Sequence, residues 1–399
     1  MKNKYLFVII FLTSLQAASQ GTWVQNNDFP GQGRESAVYF SIGDNGYLCA
    51  GNQDSTYFND FWRFNPANNQ WLPLADLIDS ARTNSVGMRI GSKGYIGTGT
   101  TSSALTQDFF EYNPADGSWM EKVSFEGPGR EKAVAFRIGN KGYIGTGADL
   151  DNYQDLWEYD PANDTTWTQK ADFPGKKRLG AVGFGIGNRG YIGLGFDAVG
   201  DYRKDFYEYN PSNNNWVRIQ EDFPGLGRED AVSFGIDELG TGYVLCGYFR
   251  FNSYLSDCWQ FDKATKKWSR LANFTGGGRK SAVGFAIDNT IYLGMGLDSL
   301  GNYPIDLWSY QIPTGINAIN DDFSRIFPNP VYDWLSVEIN TDEAILSLYD
   351  MEGRKVNVTG VTRGENILSL RSLQEGSYIY EIRGIIDNKM SFGKIVKME

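Results

Sequence analysis

"GFGIGNRGYIGLG", Gly183 to Gly195, contains the spacing Gly185-x-Gly187-x-x-Gly190, and Asp205 lies twenty residues past the first glycine. Alone, this reads as a dinucleotide-binding turn with an acid placed for the ribose. The stretch has copies, however: "FSIGDNGYLCAG" from Phe40, "MRIGSKGYIGTG" from Met88, "FRIGNKGYIGTG" from Phe136, "FGIDELGTGYVLCG" from Phe234 and "FAIDNTIYLGMG" from Phe285. Gly185 is Arg89 and Arg137 in neighbouring copies, so it reads as a chance substitution. Gly187 and Gly190 recur as a hairpin turn, where glycine supplies the positive φ that a bulged turn requires. A strand follows, not a helix, so no helix N-terminus faces a phosphate. The nucleotide reading fails, and a repeat takes its place.

The repeat can be followed along the whole unit. Arg34, Arg82, Arg130, Arg178, Arg228 and Arg279 stand 48 to 51 residues apart. Each is followed by an Asp-apolar-aromatic step, at Asp60, Asp108, Asp155, Asp205, Asp257 and Asp306. Trp71, Trp119, Trp167, Trp216 and Trp268 close the first five units. Each unit reads as four short strands: "AVxFxI", "GYIGTG", "DLWEYDP" and a fourth beginning at the Trp. Six four-stranded units of this length predict an all-β chain built as a six-bladed β-propeller over 20–311. The sixth unit lacks its Trp, while Trp23 precedes Arg34 by the spacing that separates Trp71 from Arg82. The first strand is therefore expected to complete the last blade and remove two open sheet edges.

These units resemble kelch-repeat propellers of the galactose-oxidase-like kind. The likeness rests on the aromatic pairs Tyr112/Trp119, Tyr209/Trp216, Phe64/Trp71 and Phe261/Trp268. It departs at the glycines, which appear as Gly97-x-Gly99 and Gly145-x-Gly147. Galactose oxidase holds copper with histidines, tyrosines and a Tyr–Cys crosslink. This chain has no histidine, so that chemistry carries over to no residue here. The same absence removes His-based general bases and imidazole metal sites. No cofactor or metal is expected. "DLDNY", Asp149 to Tyr153, lacks the EF-hand glycine and distant Glu and reads as a solvated loop. The net charge of −11 argues against a nucleic-acid partner. Cys49, Cys246 and Cys258 fall in strands and read as buried thiols, with a Cys246–Cys258 cross-strand disulfide as the alternative.

At the N-terminus, Lys2 and Lys4 precede the apolar run "YLFVIIFLTSL" and the small residues "QAAS". Residues 1–19 read as a signal peptide, and no later segment is long and apolar enough to span a membrane. A Pro- and Gly-containing linker, 312–325, follows the propeller. Residues 326–399 alternate like a small β-sandwich. They resemble the C-terminal sorting domain of the type IX secretion system of Bacteroidota. The residues that carry this are Pro328-Asn329-Pro330, Tyr349-Asp350 with Gly353-Arg354, Leu373 with Gly376 and Tyr378, and Gly393-Lys394. The resemblance implies export across the outer membrane, with the chain placed at the cell surface or in the medium and the secretion machinery as a partner.

A binding surface is expected on the face carrying the fourth-to-first and second-to-third connections, since long loops on a rigid scaffold are where function sits. The six arginines start the innermost strands there and could ring the channel mouth. Because every blade has one, we read them as structural, tying adjacent blades through carboxylates or carbonyls. Residues that break the repeat are the binding candidates: Phe249, Arg250 and Phe251 in blade five, Arg203 and Lys204 in blade four. The sequence thus predicts an exported monomer that binds a glycan or a protein. The rival is a histidine-free sugar mutarotase or epimerase, for which Glu35, Glu131 and Glu229 are the available acids and bases.

Overall fold

The computed structural model describes residues 21–312, 324–327, 331–350, 353–385 and 390–398. Residues 1–19, read from sequence as a signal peptide, and Pro328-Asn329-Pro330 lie outside the described residues. Two compact units are present, the first ending at residue 313 and the second beginning at residue 314.

The first unit is a six-bladed β-propeller of four-stranded antiparallel sheets. In blade one the strands are Val38–Ile42, Asn45–Cys49, Phe61–Asn65 and Gln70–Leu74, from the centre outward. The innermost strand alternates buried and half-buried residues, because one side packs between blades and the other faces the central channel. Its hairpin turn holds Gly43 at φ 53°, and the opening stretch holds Gly187 at φ 59°, the left-handed conformation expected of this turn. Gly185 is not a neutral substitution. A Cβ there would lie 1.8 Å from the Arg137 carbonyl oxygen, so the innermost strands of blades three and four approach through a missing side chain.

The core is a circle of six clusters, each shared by two neighbouring blades. One joins Val38, Phe40 and Phe61 to Ile96, Phe110 and Tyr112. Another joins Phe285 and Leu307 of blade six to Leu48 and Phe64 of blade one. The repeat tryptophans lock the rim of this arrangement. Trp119, Trp167 and Trp216 donate their indole N–H to the carbonyls of Ala75, Val123 and Ala171 in the preceding blade. Trp23 does the same for the sixth blade, donating to Ala272 at 3.3 Å. Its strand, Trp23–Gln25, pairs with Leu307–Gln311 in the register Trp23↔Tyr310, so the chain's first strand is the outermost strand of its last blade.

The second unit is sandwich-like. A 16-residue strand, Trp334–Tyr349, pairs along its length with Lys355–Ser369, and its two halves pair on the other side with Ser324–Phe327 and Gly376–Gly384. An irregularity between Ile339 and Glu343 divides it. Such a bulge bends a strand, and residues from both halves, Leu335, Val337, Leu346 and Leu348, share one core. Two boundaries differ from the sequence reading. Ile312, placed in the linker, is buried against the propeller and donates its N–H to Asn289. Ser324 and Arg325, also placed in the linker, already belong to a strand.

Candidate functional site

The six arginines are 0–1% exposed, so they do not form an accessible ring at the channel mouth. Each guanidinium grips the repeat aspartate of its own blade with two bonds, as in Arg130–Asp155 at 2.6 and 2.7 Å and Arg228–Asp257 at 2.6 and 2.8 Å. Phenylalanines of the incoming loops stack on five of them, with Arg130 4.9 Å from the Phe125 ring centroid, while Arg82 meets Phe110 of its own blade. The side chain therefore knits one blade rather than two, contrary to the expectation of inter-blade pairing. The link to the adjacent blade comes from the backbone: the carbonyls of Arg82, Arg130, Arg178, Arg228, Arg279 and Arg34 accept N–H bonds from Gly51, Gly99, Gly147, Gly195, Gly247 and Gly296.

Two residues after each arginine the chain turns through positive φ, at Ser36, Asn84, Lys132, Gly180, Asp230 and Ser281. This turn aims each peptide at the next blade. The six N–H groups and six carbonyls close a continuous belt of hydrogen bonds, 2.8 to 3.3 Å long, around the channel mouth. Inside the belt is a vestibule of 160 Å³. Tyr39 lines both this cavity and the one beneath it, and its hydroxyl lies against the Ser233 backbone, so it forms the floor. Burial pushes the Tyr39 phenol up to about 12.

Two charged side chains, Lys132 and Asp230, line the vestibule, and Glu35, Glu229 and Lys280 stand next in sequence to lining residues. Lys132 Nζ stands 2.7 Å from Asp230 and 3.7 Å from Glu229, and Lys280 Nζ stands 3.7 Å from Glu35. Burial, reinforced by Asp230, holds Glu229 above the ordinary glutamate value against the pull of Lys132. Burial likewise raises Glu35, opposed by Lys280. Burial would depress Lys132, but Asp230 and Glu229 more than offset it, so the ammonium form is held. Glu131 differs from the other two glutamates, because its carboxylate already accepts bonds from Asn84 (3.0 Å) and Thr100 (2.7 Å). Of the three acids weighed from sequence, Glu35 and Glu229 each face a lysine, Lys280 and Lys132, and Glu131 is held by Asn84 and Thr100.

An aromatic strip leads from this mouth over blades four and five. Lys280 lies 5.8 Å from the Tyr248 ring centroid, Tyr248 lies 6.3 Å from Tyr202, and Tyr202 meets Phe249 edge-on at 5.2 Å. Arg250 sits over Phe249 at 5.0 Å. Phe251, at the hairpin tip, is 89% exposed at φ 58°, a strained conformation for a bulky residue. Arg203 and Lys204 do not join them: Arg203 turns back to the buried Asp197 carboxylate of its own loop, and Lys204 is exposed. Tyr202, three residues before the repeat Asp205, belongs to the strip. Lys132, Asp230, Lys280 and Tyr39 were missed. Lys132 and Asp230 break the repeat in the column otherwise holding Ser36, Asn84, Gly180 and Ser281, so the test that selected Phe249 would have found them too.

The three cysteines are buried and free, which settles the disulfide alternative in favour of thiols. Among the described residues no group of three or more acidic or Cys side chains is placed to hold a metal, and no helix is long and apolar enough to cross a membrane.

Comparison with known proteins assigns the class. Residues 325–398 match the secretion system C-terminal sorting domain. Within it Arg354 pairs with Asp350 at 2.7 Å and Tyr378 donates to the Gln374 carbonyl, while the backbone at Gly393 and Lys394 lies in the Met390–Lys397 strand. No curated protein matches the chain. Among 317 matching solved chains, the structure of YjhT aligns with a TM-score of 0.61 at 17% identity, covering 72% of this chain and 97% of that one. At that identity the likeness is one of fold, and the fold is a β-propeller. This is an exported β-propeller protein. Its sorting domain directs it through the type IX secretion system to the cell surface or beyond.

Proposed function

We propose that the propeller is a kelch-type carbohydrate-binding module that takes one sugar unit of a glycan into the vestibule and lays the next along the aromatic strip. The observation that carries this reading is the vestibule itself. Its 160 Å³ compares with the roughly 150 Å³ cavity that accepts a single six-membered ring. Lys132 and Asp230 offer donors and acceptors for hydroxyls, and Tyr248, Tyr202 and Phe249 offer ring faces and edges of the kind that cover the apolar side of a pyranose. A protein partner would be expected to lean instead on the outer loop tips.

A second reading is favoured by one pair. Glu229, held above the ordinary glutamate value, lies 3.7 Å from Lys132, which lines the vestibule. A carboxyl whose affinity for a proton is raised, beside an amine, suits proton transfer at an anomeric centre, the chemistry of a mutarotase. A glycan array run beside an NMR assay of sugar anomerisation on the purified protein separates the two. Array binding without rate enhancement supports the module. Enhancement abolished by Glu229→Gln supports the enzyme, and neither signal would end both readings.

A further inference from the structure

The sorting domain leaves one long sheet edge open. Lys355–Ser369 spans 15 residues and pairs only with Trp334–Tyr349, so among the described residues no strand covers its other side. The domain's other edges are treated differently. Ser324–Phe327 is only four residues long, and the Met390–Lys397 edge is partly taken by Val331, whose N–H bonds to the Val396 carbonyl at 2.8 Å. Natural sheets blunt long edges with charge or proline. This one confines its charges to the ends: Lys355 at one, Arg363 and Glu365 toward the other. The window between them, "VNVTGVT", Val356 to Thr362, has no charge and no proline and is rich in β-branched residues. Val358 is 55% exposed on it.

Asn366 accepts the Thr362 N–H and donates to its carbonyl, which closes that end of the window; the remainder, Val356–Val361, is a template for another extended chain, and left unfilled it is an aggregation hazard. It sits inside the segment that matches a sorting domain, whose role requires a partner. We propose that the type IX export machinery recognises this protein by adding an extended, uncharged segment of its own to the free edge of Lys355–Ser369, centred on Val356–Val361. Backbone bonding supplies the contact, so recognition depends on the strand's edge rather than on the apolar face of the sheet.

The test is export of the full chain from a type IX-proficient cell, read as the extracellular fraction by immunoblot. Val356→Lys and Val358→Lys place charges on the edge. Ile345→Lys places one on an exposed position of the central strand, away from any edge. The edge variants should cut export by about fivefold or more, as edge charges do to strand addition, while Ile345→Lys should be exported normally. Limited proteolysis of the retained protein should show the parental fragment pattern. Normal export of both edge variants would overturn the proposal. An equal loss with Ile345→Lys would overturn it as well, assigning recognition to the face.

Discussion

Glu229 and Phe251 show how the site departs from the repeat at the scale of single residues. Because burial and Asp230 raise Glu229, the folded chain keeps a proton there at pH values where the unfolded chain has lost it. The sign follows from linkage: the native state binds more protons, so stability falls as pH rises from the ordinary glutamate value of 4.5 through the raised one. Glu229→Gln should therefore melt higher than the parent at pH 8, with the difference vanishing toward pH 4. A constant difference across that range would place the cause elsewhere. Phe251 holds a strained left-handed conformation that glycine adopts freely. Phe251→Gly should leave the melting temperature equal or raised by the equivalent of about 1 kcal/mol, while weakening binding of any glycan that reaches the tip. A clear drop in melting temperature would mean that Phe251 is structural. These two residues also mark the limit of sequence reading. Phe251 was visible because it interrupts a loop pattern. Lys132 and Asp230 interrupt their column just as openly, but that the two side chains meet, 98 residues apart in sequence, follows only from closure of the ring.

At the scale of elements, the strand Trp23–Gln25 carries a load disproportionate to its length. It supplies the outermost strand of blade six, the indole bond to Ala272, and aromatic contacts with Phe274 at 4.9 Å and Tyr310 at 5.2 Å. Just after it, Phe29 is fully buried among Trp62, Trp71 and Arg34. Deleting residues 20–30 should cost at least the 3–5 kcal/mol typical of one buried aromatic truncation and leave an open edge prone to aggregation. An unchanged calorimetric melting temperature would contradict the latch. The closure was legible because Trp23 keeps the repeat's Trp-to-Arg spacing with no repeat unit before it, and the sixth unit ends without its Trp. The role of the arginines was only half legible. Their repetition marked them as structural, but whether a guanidinium pairs within or between blades depends on strand register, which spacing alone does not reveal.

On the scale of the whole molecule, the repeat made the propeller readable from end to end, and an ordered set of motifs did the same for the sorting domain. The function is written less plainly, since one vestibule is lined by residues from all six blades. The propeller's closed circle of cores should let it fold by itself, so residues 20–313 expressed alone should unfold cooperatively in a single transition. Insolubility relieved only by restoring residues 314–399 would contradict that independence. The central claim is that the vestibule binds a sugar. Its most direct test is calorimetric titration of the strongest glycan-array ligand into the parent, Lys132→Met and Arg250→Ala, with each variant's fold checked by its melting transition. Lys132→Met should weaken binding by roughly 2 kcal/mol or more, as loss of a central charged contact does, and Arg250→Ala by about 1 kcal/mol at the strip's outer end. Undiminished binding by a folded Lys132→Met would contradict the account and move the site off the channel mouth.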